Sequence, residues 1–408
     1  MTTGDKELRI LHANPETADL LFAVGSPSTP ELAVGTFDGS RSTVQEPLRR
    51  LHGIRQAGHT TRAVAIGSGD DIAIFLAVDE GVRSTLIRHH LQSGVSEDMK
   101  IPLGVITGPG ACYQGTLRFP FSTPHEQATL AAIASTSERK ARPRVTSQTR
   151  SLIPVRVEKF PAPAGSVEAI VYGAPWHTAD RVVIALHGGP ESHWRAGYDN
   201  SLSLLSSIGT VVAINQRGST GYGPDHQAAI RHAWGGPDLA DIHAIADHIA
   251  RRRPHSDGRL MIYGASYGAY LAVLAAATHP ARWSHCAAIA PFLSGELLHR
   301  DGPEAVKQLI DRLGGRTKIH GDGYGPRDLL QVAPGLRART LLIHGGADPI
   351  IPASHSRRLY EQLCKLGQCD ELEYIEALGG HSPPYDRSGR PIGGRIVEFF
   401  TRPSPAGR

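Results

Sequence analysis

The sequence predicts two domains: a β-rich segment over residues 1–150, and an α/β domain over 151–408 built on a buried, mostly parallel sheet. Three observations carry this. The chain has 408 residues, too many for one α/β domain of about 250. Its second part alternates short apolar runs with helical patterns, as parallel sheets buried on both faces require. Its first part shows only short β-prone runs separated by Gly, Ser, Pro and Asp.

The apolar runs Val182–Leu186, Val211–Asn215, Leu260–Gly264, Cys286–Ala290 and Leu341–His344 are the expected strands. Between them, Leu239, Ile242, Ile245, Ala246 and Ile249 recur at helical spacing. Asp238, Asp241, Asp247 and Arg251 interleave them, which assigns these charges to a polar face. Leu293–Val332 breaks the alternation with mixed polar residues, and reads as an insertion or lid in which specificity would reside.

Gly264-Ala265-Ser266-Tyr267-Gly268 directly follows one of these runs. A serine flanked by glycines two residues away on each side, between a strand and the Ala-rich helix Ala269–Thr278, is a nucleophile elbow. A serine hydroxyl needs a base to become nucleophilic at neutral pH. Arg339–Asp348 is a β-rich run ending in a carboxylate, and Gly379-Gly380-His381 follows one helix and the run Glu371–Ile375. Asp348 is the candidate orienting acid, and His381 the candidate general base. The order Ser266, Asp348, His381 is that of an α/β-hydrolase, and differs from the orders of the chymotrypsin and subtilisin folds. Asp348 also suits a cap before Ile351. The chain has 21 histidines, so position must decide among them: His344 lies inside an apolar run and reads as structural, and His187 belongs to another motif.

The backbone N–H of Tyr267 opens the helix after the nucleophile, and is a donor for the alkoxide built when a carbonyl is attacked. Earlier in the chain stand His187-Gly188-Gly189-Pro190, Asn215-Gln216-Arg217-Gly218-Ser219-Thr220-Gly221-Tyr222-Gly223 and Trp234-Gly235-Gly236-Pro237-Asp238 with Asp241. With the elbow tyrosines Tyr267 and Tyr270, and the Asp348-Pro349 and Gly380-His381 loops, the stretch from about Val155 to Arg402 resembles the prolyl oligopeptidase family of serine peptidases. The acylaminoacyl-peptidase-like branch is the nearest in flavour. The resemblance implies that the Tyr222 phenol is a second oxyanion donor, while Arg217 braces its loop. It also implies a β-propeller at the N-terminus. Residues 1–150 suffice for three or four blades of roughly 40 residues, so the expectation is a shortened, propeller-like module, which leaves open its completion by a second copy of the chain.

Other classes find little support. A net charge of +4 is small for this length, and the basic run Glu138–Arg144 lacks interleaved aromatics. Residues 135–150 therefore read as a solvated linker, with no nucleic-acid partner. No run is long and apolar enough for a signal segment or a membrane span, so the expectation is a cytoplasmic protein. Cys112, Cys286, Cys364 and Cys369 are too few for a disulfide framework. Cys364 and Cys369 read as an incidental helix-end pair, and no metal or other cofactor is expected.

The expected function is that of a serine hydrolase cleaving amide bonds of short peptides or N-blocked amino acids through an acyl-enzyme on Ser266. An esterase, small-molecule amidase or acyl transferase would use the same triad. A non-catalytic scaffold would not need it.

Overall fold

The computed structural model describes residues 73–90, 92–134, 153–253, 260–316 and 327–403, together with strand segments among residues 2–66. The linker expected at 135–150 lies outside the described residues, as does 317–326 of the expected insertion. The chain divides into two compact units. One takes in Met1–Ser151 and Arg195–Asp199, the other Leu152–Trp194 and Asn200–Arg408.

Among the described residues, the first unit holds three small antiparallel sheets. The strands Asp19–Val24 and Thr116–Thr123 fall on β-prone runs of the sequence, Leu20-Leu21-Phe22-Ala23-Val24 and Leu117-Arg118-Phe119. One of these sheets pairs Thr60–Ile66, Ala73–Glu80, Arg83–His90 and Ser96–Met99 in sequence order. The tight turn Gly81-Val82 joins the second and third of these strands. Phe75, Leu86, Leu117, Phe119 and Phe121 form the core of this unit. Phe119 and Phe121 share a strand face by alternation and meet edge to face, 6.0 Å between centroids.

The second unit carries an eight-stranded sheet. In chain order its strands are β1 (Val155–Ala162), β2 (Gly165–Tyr172), β3 (Val182–Leu186), β4 (Thr210–Ile214), β5 (Leu260–Ala265), β6 (Trp283–Ile289), β7 (Arg339–Gly345) and β8 (Leu372–Ala377). Spatially they run β1-β2-β4-β3-β5-β6-β7-β8. Only β2 runs against the rest: it is antiparallel to both neighbours, and all later pairings are parallel. This is the α/β-hydrolase sheet expected from the sequence. The helices are α1 (Asn200–Leu205), α2 (Pro224–Ala228), α3 (Pro237–Arg251), α4 (Tyr267–Thr278), α5 (Gly295–Asp301), α6 (Glu304–Leu313), α7 (Leu329–Val332), α8 (Ser354–Lys365) and α9 (Ile392–Thr401). Helix α4 is almost wholly buried, so it shows no amphipathic stripe and packs as a central rod against β5 and β6.

Two expectations need correction. Asp238 and Asp241 do not lie on a solvated face of α3, because both are fully buried. Buried carboxylates must be paired: Arg217 holds Asp241 through Nη2 at 2.8 Å and its own backbone N–H at 2.9 Å, and Tyr267 holds Asp238. Periodicity marked which α3 residues are apolar, but could not see that its charged residues had partners elsewhere. Cys364 and Cys369 form a disulfide across the end of α8. Cys112 and Cys286 are buried thiols.

Candidate active site

Ser266 stands between the end of β5 and the start of α4 with φ 56° and ψ −120°. A non-glycine residue holds such a conformation only when its surroundings impose it. Here its N–H donates to Ile289 O at 2.8 Å, and its carbonyl accepts the amides of Ala269 and Tyr270 at 3.0 and 3.1 Å. The flanking glycines are steric necessities. A Cβ on Gly264 would lie 2.1 Å from Gly268 O, and one on Gly268 would lie 2.5 Å from His187 O and 2.6 Å from Leu186 O.

The residue after the nucleophile is anchored from behind. The Tyr267 hydroxyl donates to Asp238 Oδ2 at 2.5 Å, and the amides of Leu239 and Gly235 reach the same carboxyl at 2.9 and 3.3 Å. Burial pushes the Asp238 carboxyl up to about 6, against the pull of these three donors. Trp234 meets Tyr267 edge to face, and Phe292 stacks on Tyr270 at 4.5 Å. Since Tyr267 begins α4, its N–H has no carbonyl one turn earlier to bind, and the positive end of the helix faces the serine.

Asp348 follows β7, and its carboxylate is fully buried. Oδ2 accepts from His381 Nδ1 at 2.7 Å, and Oδ1 accepts the amides of Ile350 and Ile351 at 2.8 and 3.0 Å. The capping and orienting readings thus describe two oxygens of one side chain. His344 adds a fourth donor: its Nε2 lies 3.2 Å from Asp348 Oδ2 and 2.9 Å from Ile351 O, while its Nδ1 accepts from the Ser356 hydroxyl at 2.7 Å. Because both neighbours of Nε2 are acceptors, that nitrogen must carry the proton. Burial alone would raise the Asp348 pKa, but hydrogen bonds from His344, His381, Ile350 and Ile351 outweigh it and hold the group well below the carboxylate range.

Ser266 and His381 line one cavity of about 740 Å³, together with Gly188, Gly189, Leu204, Ile392 and Ile396 among others. Gly188 passes close to the nucleophile: a Cβ there would sit 3.4 Å from Ala265 O and 3.5 Å from Ser266 Cβ. The loop is held by His187, whose Nδ1–H donates to Gly188 O at 2.7 Å while Nε2 meets the Ser219 hydroxyl at 2.8 Å. Burial lowers this imidazole to about 4 and so keeps it neutral.

Tyr222 is placed differently. Its phenol donates to Glu168 Oε1 at 3.1 Å and accepts from Asn215 Nδ2 at 2.7 Å, and it is not among the residues lining the cavity. Burial and the Glu168 charge push the phenol up, so it stays protonated. Arg217 bonds to Asp241 and Pro237 O, both structural partners in its neighbourhood. No described residue of 293–332 lines the cavity, and among the described residues no cluster of His, Cys, Asp and Glu could hold a metal ion. The sequence reading gave His344 and Asp238 no part in the site. The apolar-His-Gly-Gly pattern shared by Leu186–Gly189 and Ile343–Gly346 was a local signal for the first, and the second stood out only as part of the Trp234–Asp238 motif.

Comparison with known proteins agrees with this architecture. The acylaminoacyl peptidase of Pyrococcus horikoshii superposes with a TM-score of 0.71 at 18% identity, covering 98% of this chain and 64% of its own. A puromycin-hydrolyzing peptidase of Mycobacterium tuberculosis gives 0.67 at 18%, covering 97% and 60%. At the sequence level, an uncharacterized peptidase of Bacillus subtilis, YuxL, is 28% identical over 207 residues, which is 47% of this chain but 29% of that protein. The chain thus spans less than two thirds of the relatives it matches. The sequence pattern of the prolyl oligopeptidase family covers residues 196–403, a stretch that contains the elbow, the Asp348 turn and the His381 loop, and the chain belongs to that family of serine peptidases.

Proposed function

We propose that the protein hydrolyses amide bonds of short peptides or N-blocked amino acids through an acyl-enzyme on Ser266. The observation that carries this reading is the 2.7 Å contact between His381 Nδ1 and Asp348 Oδ2 in a wall of the cavity that also holds the strained serine. His381 Nε2 takes the Ser266 proton as Oγ bonds to the substrate carbonyl carbon. Asp348 fixes the tautomer and stabilises the imidazolium. The alkoxide meets the Tyr267 amide, with Gly188 as the second donor, since the loop after β3 supplies such an amide in this fold and passes against Ser266. The Tyr222 phenol, which stays protonated and donates to Glu168 in the absence of substrate, is the other donor that the family resemblance implies. The imidazolium then returns the proton to the leaving nitrogen as the C–N bond breaks, and water repeats the sequence to free the acid.

A second reading, a small-molecule amidase or esterase, is favoured by the likeness to peptidases named for hydrolysing puromycin. Steady-state hydrolysis of amides and esters sharing one acyl group separates them, with Ser266→Ala as the control. Turnover of peptide and N-blocked aminoacyl amides supports the peptidase reading, turnover of esters or non-peptide amides alone supports the second, and activity that survives Ser266→Ala sinks both.

A further inference from the structure

We infer that the cavity receives the leaving half of the substrate, and that this half carries an uncharged apolar arm. The inference rests on the acyl-enzyme reading above, and adds to it which half of the substrate is recognised and by what chemistry.

The cavity opens at Ser266 and descends along one face of the sheet. Side chains alternate across a strand. Ile262 and Ala288 belong to the core shared with α3, α4 and α8, so Tyr263 and Ile289, which line the cavity, face the opposite side. That side is covered by α1 and α9, which touch each other and supply Leu204, Leu205, Ile392 and Ile396 to the lining. The two helices pack about as closely as glycine allows: a Cβ on Gly393 would lie 3.1 Å from Leu204 Cδ2.

Direction follows from the chemistry. In acylation the imidazolium gives its proton to the leaving atom, so the leaving group must lie beside His381. The cavity wall runs from His381 through Ser382, Pro383 and Pro384, and then to α9. Space continuous with that wall extends from the leaving atom. Its chemistry selects the arm: no described Asp, Glu, Lys or Arg lines the cavity, whose polar side chains include Ser192, Asn200, Ser201 and Ser382, so a charge drawn into it would lose hydration without gaining an ionic partner. An alkyl or aromatic arm loses only unfavourable contact with water. The volume, about 740 Å³, falls in the range of small-molecule sites.

Two ester series test this with the whole chain. In one, N-acetylphenylalanine is esterified with alcohols from ethanol to hexanol, whose acidities are nearly equal. In the other, p-nitrophenol is fixed as leaving group and the acyl chain grows from acetyl to octanoyl. The expected result is a rise in kcat/KM along the alcohol series of up to about fourfold per methylene, the factor for burying one CH2, with a shallower acyl series. Leu204→Trp, which enlarges a side chain of the cavity lining, should flatten the alcohol slope. A flat alcohol series, a steeper acyl series, or a slope unchanged in Leu204→Trp overturns the inference. The wild-type series decides the question even if that variant fails to fold. Absence of Ser266-dependent turnover of the shortest member of each series sinks the acyl-enzyme reading itself, whereas turnover with no slope sinks only the inference about the arm.

Discussion

His344 Nε2 lies 3.2 Å from Asp348 Oδ2, the same oxygen that receives His381 Nδ1 at 2.7 Å. The acid of the site therefore has two imidazoles on one oxygen and two backbone amides on the other. Replacing it disturbs both catalysis and the turn that leads to α8.

Asp348→Asn is expected to lower kcat by about 10⁴-fold, since an amide facing Nδ1 stabilises the wrong tautomer. Its effect on stability depends on pH. The Asp348 pKa is depressed by folding, so its contribution is present above the ordinary carboxylate range and lost as pH falls through and below that range. Denaturant unfolding of wild type and variant from pH 7 to pH 2 should show the wild-type advantage shrinking with acid. A constant difference would mean that the hydrogen bonds to Asp348 do not depend on its charge.

Tyr267→Phe removes the hydroxyl that meets Asp238 at 2.5 Å. A hydrogen bond to a buried charged group contributes about 2 kcal/mol, and the variant should lose about that much at pH 8. The Asp238 carboxyl is raised to about 6. Its own contribution is fullest below about pH 4 and lost as pH rises through 6, and Tyr267 limits that loss by stabilising the ionised form. The cost of Tyr267→Phe should therefore be smaller at pH 4 than at pH 8. Equal costs at both would rule out this coupling.

Gly268→Ala is expected to cost about 3 kcal/mol or more, the upper end for overpacking, because the neighbours 2.5 and 2.6 Å from its Cβ are backbone carbonyls that cannot rotate away. Gly394→Ala is the matched control, since a Cβ at Gly394 meets nothing within 4 Å. Similar melting temperatures for the two variants would refute the packing argument.

Thiol titration checks the cysteine arrangement. Unfolded without reductant, the protein should show two thiols, those of Cys112 and Cys286, and after reduction all four. Four without reduction would remove the Cys364–Cys369 bond.

The sheet and the order of site residues were legible in the sequence because both rest on local signals. Val182–Leu186 is an unbroken apolar run, and the glycine spacing around Ser266 is readable locally. Only Gly264, however, answers to a carbonyl of the elbow, while Gly268 answers to Leu186 O and His187 O of the neighbouring strand end. What stayed hidden depends on partners distant in sequence. Asp238 and Asp241 occupy the polar positions that periodicity reserves for solvent, and only Tyr267 and Arg217 explain their burial. Tyr222 stands in a recognisable motif, yet the motif is silent about Glu168, which engages its hydroxyl. The cysteine pair reads as chance because a bond across a helix end depends on how the chain turns after Lys365.

The backbone of Ser266, at φ 56°, also bears on stability. Glycine would sit there with less strain, by about 1 kcal/mol after allowing for its greater freedom when unfolded, so Ser266→Gly should abolish turnover and raise the melting temperature. The hydroxyl is thus held at a cost to stability that packing alone does not require.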